Sequence, residues 1–160
     1  MRVIILAVGK LKSGPEHELV ERYLARSRAG GRALGLQDFQ IREFSVARDN
    51  SIAQRKRKEA AALVSAMPDD AKLVVLDETG TQQTSGQFAQ MIGKWNENAQ
   101  RNLCFVIGGP DGLDPEIRAR ADLVLSFSPL TWPHQMVRVM LAEQLYRATT
   151  ILAAHPYHKS

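Results

Sequence analysis

The sequence has a single cysteine, Cys104, among its 160 residues. No internal disulfide can form. A lone thiol inside the apolar run Leu103-Cys104-Phe105-Val106 behaves as a small hydrophobe, so the chain suits a reducing, cytoplasmic setting. Long apolar stretches are also missing. None could span a bilayer, and the opening run Val3 to Val8 is shorter than the core of a signal peptide, so no membrane partner is expected. No His, Cys and acid cluster stands at metal-ligand spacing, and no metal is expected. Repeats, linkers and low-complexity segments are absent too. Neither charge sign dominates: 21 Lys and Arg face 17 Asp and Glu, a formal net charge of +4. That is a mild lean toward a polyanionic partner. With 44% hydrophobic and 24% charged residues, the chain reads as one folded domain over residues 1–160.

What is present alternates between two periods. Arg2 to Val8 is apolar from Val3 onward and ends at Gly9, as a strand buried on both faces does. Glu16 to Arg28 suits a helix, broken at Ala29-Gly30-Gly31. Phe39 to Phe44 alternates and suits a strand with one exposed face. Ile52 to Met67 is an alanine-rich helix carrying Arg55-Lys56-Arg57-Lys58 and stopped by Pro68. Lys72 to Asp77 and Leu103 to Ile107 are further buried strands. Thr84 and Gln87 form a capping box for a helix reaching about Asn98. Asp114-Pro115-Glu116 opens another helix, Leu123 to Ser126 is a short strand, and a long helix runs from about Pro133 to Leu152. Strands alternating with helices predict an α/β domain with a mostly parallel sheet and helices on both faces. Ligands collect at the carboxyl ends of such strands. That points to Asp77-Glu78-Thr79-Gly80, to Gly108 to Gly112, and to Phe127 to Trp132.

The stretch Val106-Ile107-Gly108-Gly109-Pro110-Asp111-Gly112-Leu113 is the most conspicuous of these. It does not follow the first strand and lacks the spacing of a dinucleotide fingerprint. Pro110 removes a backbone donor, Asp111 would repel an anion unless turned away, and no lysine follows, so a phosphate loop is excluded. Taken alone, it reads first as a tight strand-to-helix turn. It would also suit a ligand edge that needs backbone groups and no anion stabilisation, such as an adenine.

Ser126-Phe127-Ser128-Pro129-Leu130-Thr131-Trp132-Pro133-His134 is a long, apolar connection able to wall a pocket. In the helix after it, Val137, Leu141, Leu145, Ala148 and Leu152 make one apolar stripe, widened by Met136, Val139 and Met140. A helix apolar over more than one face needs two partners. One is its own sheet, and a second copy of the chain in a homodimer is the expected other.

These segments, with Pro133-His134-Gln135-Met136-Val137-Arg138-Val139, Ala142-Glu143-Gln144-Leu145-Tyr146-Arg147-Ala148 and the tail His155-Pro156-Tyr157-His158-Lys159, resemble the RlmH family. So do Ala7-Val8-Gly9-Lys10-Leu11-Lys12 and Leu76-Asp77-Glu78-Thr79-Gly80. The resemblance runs end to end and is weakest between Ser27 and Ser51. It implies a dimeric SPOUT-class methyltransferase with a trefoil-knotted α/β fold. The implied reaction moves a methyl group from S-adenosylmethionine to N3 of a pseudouridine in large-subunit (23S) ribosomal RNA. Residue by residue, the implied cofactor site is Leu76, Gly108, Gly109, Phe127, Ser128, Pro129, Leu130, Thr131 and Trp132. Thr81 and Trp132 depart from the family pattern, which puts only substrate fit in doubt.

Methyl transfer from a sulfonium needs orientation first. The N3 proton must also leave, which a general base or a nearby cation would ease. His134, Arg138, Tyr157 and His158 are the catalytic candidates, with His155 beside them. His134 stands against a plain packing role in the first turn of its helix, and Arg138, as a phosphate or substrate contact, against an ion pair with an acid on the partner subunit. Glu143 and Arg147, four apart, read as a helix-stabilising pair. His155, Tyr157, His158 and Lys159 are candidate RNA contacts by stacking and phosphate binding, against a frayed terminus. The run Arg55 to Lys58 is either a solvated helix face or a phosphate-binding surface. The alternative function is a non-catalytic ribosome- or RNA-binding module on the same fold.

Overall fold

Five segments form one wholly parallel sheet in the order β2-β1-β4-β3-β5. They are β1 (Arg2–Val8), β2 (Asp38–Phe44), β3 (Ala71–Gln82), β4 (Asn102–Ile107) and β5 (Leu123–Ser126). The computed structural model describes residues 1–155 and 157. The pleat sorts each strand onto two faces. Val3, Ile5 and Ala7 of β1 and Leu103, Phe105 and Ile107 of β4 enter one core, while Ile4, Leu6, Val8, Cys104 and Val106 enter the other. The first core is covered by α1 (Pro15–Gly31), α3 (Ser85–Glu97) and α5 (His134–Leu152), the second by α2 (Ile52–Ala66) and the short α4 (Pro115–Ala119). β1 and β4 lie inside the sheet and are buried along nearly their whole length, which is why they read as unbroken apolar runs. β2 is an edge strand with an alternating sequence.

The helix starts follow their local chemistry. Thr84 accepts from the Gln87 amide while the Gln87 side chain accepts from the Thr84 amide, a complete capping box. Asp114 caps α4 through the Glu116 amide, ahead of Pro115.

Two boundaries differ from the sequence expectation. The Gly30-Gly31 pair does not break α1, which runs to Gly31 before a 3₁₀ turn at Arg32–Leu34. Packing overrides propensity here: a side chain at Gly31 would meet the Leu36 carbonyl oxygen at 2.8 Å and the Phe39 ring at 2.9 Å. Second, β3 continues past Asp77 to Gln82. Leu125 pairs with both Leu76 and Thr81, so Asp77 to Gly80 bulge out of the ladder at the carboxyl edge. Gly80 lies directly on β5. A Cβ there would sit 2.6 Å from the Val124 carbonyl oxygen.

α5 is not a simple apolar stripe. Leu141, Leu145 and Ala148 are buried as expected, but Arg138, Thr149 and Thr150 are buried with them, and Met136 is exposed. α5 packs on α1 and α3.

Candidate functional site

The carboxyl ends of β3, β4 and β5 surround a cavity of about 770 Å³, within the usual size range for small-molecule sites. Its walls come from the three post-strand segments singled out in the sequence. Leu76, Gly108, Gly109, Phe127, Ser128, Leu130, Thr131 and Trp132 all line it. Pro129 is exposed and is not among the lining residues. Asp77, Glu78, Thr79, Arg118, His134 and Val137 complete the wall.

The glycines are needed for space. A Cβ at Gly108 would meet Leu113 at 2.9 Å, and one at Gly109 would meet the buried Val8 side chain at 2.9 Å. Gly112 has φ +77°, a left-handed turn that favours glycine. Asp111 lines the cavity as well, and its carboxylate is bound to Arg55 of α2 at 2.7 Å, which holds it below the usual carboxylate range.

Hydroxyl groups of the β5–α5 loop hold it in shape. Ser128 Oγ accepts from the Leu130 amide and from the Trp132 indole N–H, each at 3.0 Å. Ser126 Oγ lies 2.9 Å from the Ser128 carbonyl oxygen and 3.1 Å from that of Glu78. The Thr131 hydroxyl donates to the Glu78 carboxylate at 2.7 Å. The loop is thereby tied to itself and to the bulge of β3. On the opposite wall, Arg118 bonds the Thr79 hydroxyl at 2.9 Å and approaches Asp77 at 3.4 Å. Burial pushes the Asp77 carboxyl up, but the hydroxyl and amide of Thr79, then Arg118 and Lys56, outweigh it and hold Asp77 below its ordinary value.

The catalytic candidates separate. His134 lines the cavity, half-buried at the start of α5. Burial, and after it the positive charge of Arg138, hold its imidazole below the ordinary value. Arg138 is fully buried and does not line the cavity. It donates to Glu43 at 2.7 Å and to the Val8 carbonyl at 2.7 Å, while its Nε has no partner among the described residues. The acid partner is thus Glu43 of the same chain and not an acid of a partner subunit, because α5 packs Arg138 inward against β1 and β2; Glu43 also accepts from the Leu11 amide. Gly9, with φ +92°, makes room for both side chains: a Cβ there would lie 3.2 Å from each of Arg138 and His134.

Tyr157 sits away from the cavity, on α5. Its ring packs on Tyr146, with centroids 4.6 Å apart, under the Arg147 guanidinium, and its hydroxyl bonds Glu143. Glu143 and Arg147 form the expected pair at 2.5 Å. The His155 imidazole accepts from the Tyr157 amide at 3.2 Å. His158 and Lys159 lie outside the described residues. Arg118, Glu43 and the Asp111–Arg55 pair were not legible in the sequence, since nothing local distinguishes them from surface charges.

A sequence model of the family described as "Predicted SPOUT methyltransferase" matches residues 1–158. The chain belongs to the SPOUT methyltransferase family. It is 53% identical over 160 residues to a Rhodopseudomonas palustris (strain HaA2) protein named "Ribosomal RNA large subunit methyltransferase H", covering 100% of each chain. A protein of the same name from Allorhizobium ampelinum is 51% identical over the same span, again covering 100% of each. A solved structure of a probable methyltransferase from Bordetella pertussis Tohama I matches with TM-score 0.50 at 10% identity, over 92% of this chain and 95% of that one. At that identity it speaks for the fold alone. The β3 bulge is what brings Gly80 onto the β5 backbone, where β3 resumes its pairing with β5 at Thr81. In this SPOUT chain the cavity lies at that crossing, which explains why a bulged strand and a hydroxyl-laced loop form its walls.

Proposed function

We propose that this chain transfers a methyl group from S-adenosylmethionine to N3 of a pseudouridine in large-subunit ribosomal RNA. The observation that carries this reading is the cavity itself: three segments distant in sequence converge on one space whose walls mix apolar side chains with polar groups, and the glycine loop, among the described residues, forms no phosphate cradle. The relatives' name supplies the RNA substrate. The residues fit the cofactor. Leu76 and Leu130 offer apolar faces for an adenine, and Gly108 and Gly109 keep backbone accessible where any side chain would collide. Asp111 is neutralised by Arg55.

When bound, S-adenosylmethionine supplies an electrophilic methyl group on a sulfonium sulfur. The chain's own task is to place the N3 nucleophile in line with it and to accept the N3 proton. His134 suits the second role, because it lines the cavity and its surroundings favour the neutral imidazole, a proton acceptor. Arg138 acts from behind as a positioning residue, anchored to β1 and β2 through Val8 and Glu43. Tyr157, packed on Tyr146 and bonded to Glu143, is assigned to RNA together with His155, His158 and Lys159.

The chain works as a homodimer in the cytoplasm, each copy a single domain. A second cavity of about 470 Å³ between α1, α3 and α5 supports the dimer. Leu19, Tyr23, Phe88 and Met140 line it beside Gln83, whose buried Oε1 has no partner among the described residues. It shares Leu125 and Phe127 with the first cavity, so a second copy seated there would lie next to the methyl-transfer site.

Incubating the protein with ribosomes and methyl-labelled S-adenosylmethionine, then mapping the labelled nucleotide, tests the reading. Label on a single large-subunit pseudouridine is expected. Cofactor binding without transfer to any ribosomal RNA would leave the alternative, a binding module.

A further inference from the structure

The basic run of α2 touches the site described above only through Arg55 and Lys56, yet it carries an unusual share of the charge. Residues 45–58 hold five Lys and Arg against one acid, Asp49, a net +4. The formal charge of the whole chain is also +4, so the remainder holds sixteen of each sign. The entire positive excess lies in fourteen consecutive residues.

The fold puts that segment at the cavity. α2 carries the chain from the end of β2 back to the start of β3 in a parallel sheet, so its first turns stand at the carboxyl edge. Arg55 fastens it there through Asp111 of the glycine loop, and also bonds the Asp49 carbonyl at 2.8 Å. Glu59, Ala60 and Leu63 face inward. Lys56 falls on the same side one turn earlier, where the helix overhangs the strands, and its Nζ is 3.8 Å from where a Cβ on Gly112 would lie. Lys58 pairs with Asp49. Arg48, Lys56 and Arg57 make no ion pair among the described residues, and Arg48 and Arg57 are exposed.

We infer that residues 48–58 form a docking surface for the phosphodiester backbone of the substrate RNA, with Arg48, Lys56 and Arg57 as phosphate contacts and Arg55 and Lys58 as the struts that hold them at the cavity mouth. This rests on the ribosomal RNA reading above. Unpaired cations in a row match a chain of phosphates and require no base sequence. The surface gives a small, nearly balanced protein an oriented grip on a polyanion, with the target base directed toward the cavity beside it.

The test compares Arg48→Gln/Lys56→Gln/Arg57→Gln with a control, Arg32→Gln/Lys94→Gln/Arg101→Gln, whose charges lie at the amino edge of the sheet. Affinity for protein-free large-subunit RNA is measured between about 50 and 200 mM salt. Three lost phosphate contacts should lower the slope of log affinity against log salt by about 2 to 3, from roughly 0.7 per contact on single strands and 0.9 on duplex. The control should change it by less than about 1. An unchanged slope, or equal losses in both variants, overturns the inference. So does a loss confined to intact subunits with naked RNA unaffected, because the partner would then be a ribosomal protein, engaged in part by the exposed Val46 and Ile52. Cofactor titration of the same three proteins separates this from the methyltransferase reading: wild type that binds RNA with the expected slope difference but no S-adenosylmethionine would sink that reading and leave the surface standing.

Discussion

Replacing Gly80 by alanine should damage the protein far more than one added methyl group ordinarily would. Gly80 does not have a left-handed backbone, so alanine meets no conformational obstacle. The obstacle is β5. The new Cβ would lie 2.6 Å from Val124 O, 2.7 Å from Val124 C and 2.8 Å from Leu125 C. Carbon contacts settle at roughly 3.5–4.0 Å, so β5 must retreat by roughly 1 Å. Overpacking costs about 1–3 kcal/mol where side chains can turn aside. Here all three neighbours are backbone with no rotamer to change, which places the cost near 3 kcal/mol. For a domain of this size each kcal/mol moves Tm by about 2–4 °C, so Gly80→Ala should melt roughly 6–12 °C below wild type. S-adenosylmethionine should also bind more weakly, because β5 leads directly into the Phe127 to Trp132 wall. Gly86→Ala is the matched control. Its nearest neighbour is Thr84 Oγ1 at 3.9 Å, and alanine in a helix is favoured over glycine by up to about 1 kcal/mol, so it should melt at or above wild type. Thermal denaturation followed by circular dichroism reads both. A Gly80→Ala protein melting within about 2 °C of wild type would refute the close crossing.

Three further perturbations probe the site and core. Arg138→Met removes the bonds to Glu43 and Val8 and leaves Glu43 behind, which should cost about 3 kcal/mol in denaturant unfolding; adding Glu43→Gln should recover part of it, and equal stability of single and double variants would argue against the pair. His134 has a folded-state pKa below its unfolded value, so the stability it contributes is complete above about pH 6.5 and declines as pH falls through the lowered folded value. His134→Gln should flatten unfolding free energy between pH 7.5 and 5.5, and an unchanged pH profile would count against a depressed imidazole. Cys104 is buried and its thiol is pushed up to about 11, so thiol reagents at pH 8 should label it only after unfolding; rapid labelling of the native protein would contradict the buried β4.

The sequence announced the sheet and the cavity through different kinds of signal. β1 and β4 could be read because both faces are buried and every residue is apolar. The starts of α3 and α4 could be read because capping is chemistry local to three or four residues. The polar stretch from Asp77 to Gln82 carried no strand pattern, since its ladder partner is β5, more than forty residues away. Gly30 and Gly31 misled for a related reason: the space that Leu36 and Phe39 occupy decides that end of α1. Arg138 was named as a candidate, but its burial was hidden, because a charge inside an apolar stripe becomes tolerable only through Glu43 and Val8, on strands far from it in the chain. Asp111 looked like an obstacle to ligand binding until Arg55 supplied its partner. The cavity segments themselves were legible because carboxyl-edge loops hold ligands in any parallel sheet and because the resemblance named the residues within them.

Where the methyl donor binds is tested most directly by amide hydrogen exchange with and without saturating S-adenosylmethionine. Exchange should slow at the amides of Ile107 to Leu113 and Phe127 to Trp132, prolines aside, and should stay unchanged around Leu19 and Tyr23. Protection confined to the α1 and α5 face, or saturable binding with no protection in either loop, would contradict it.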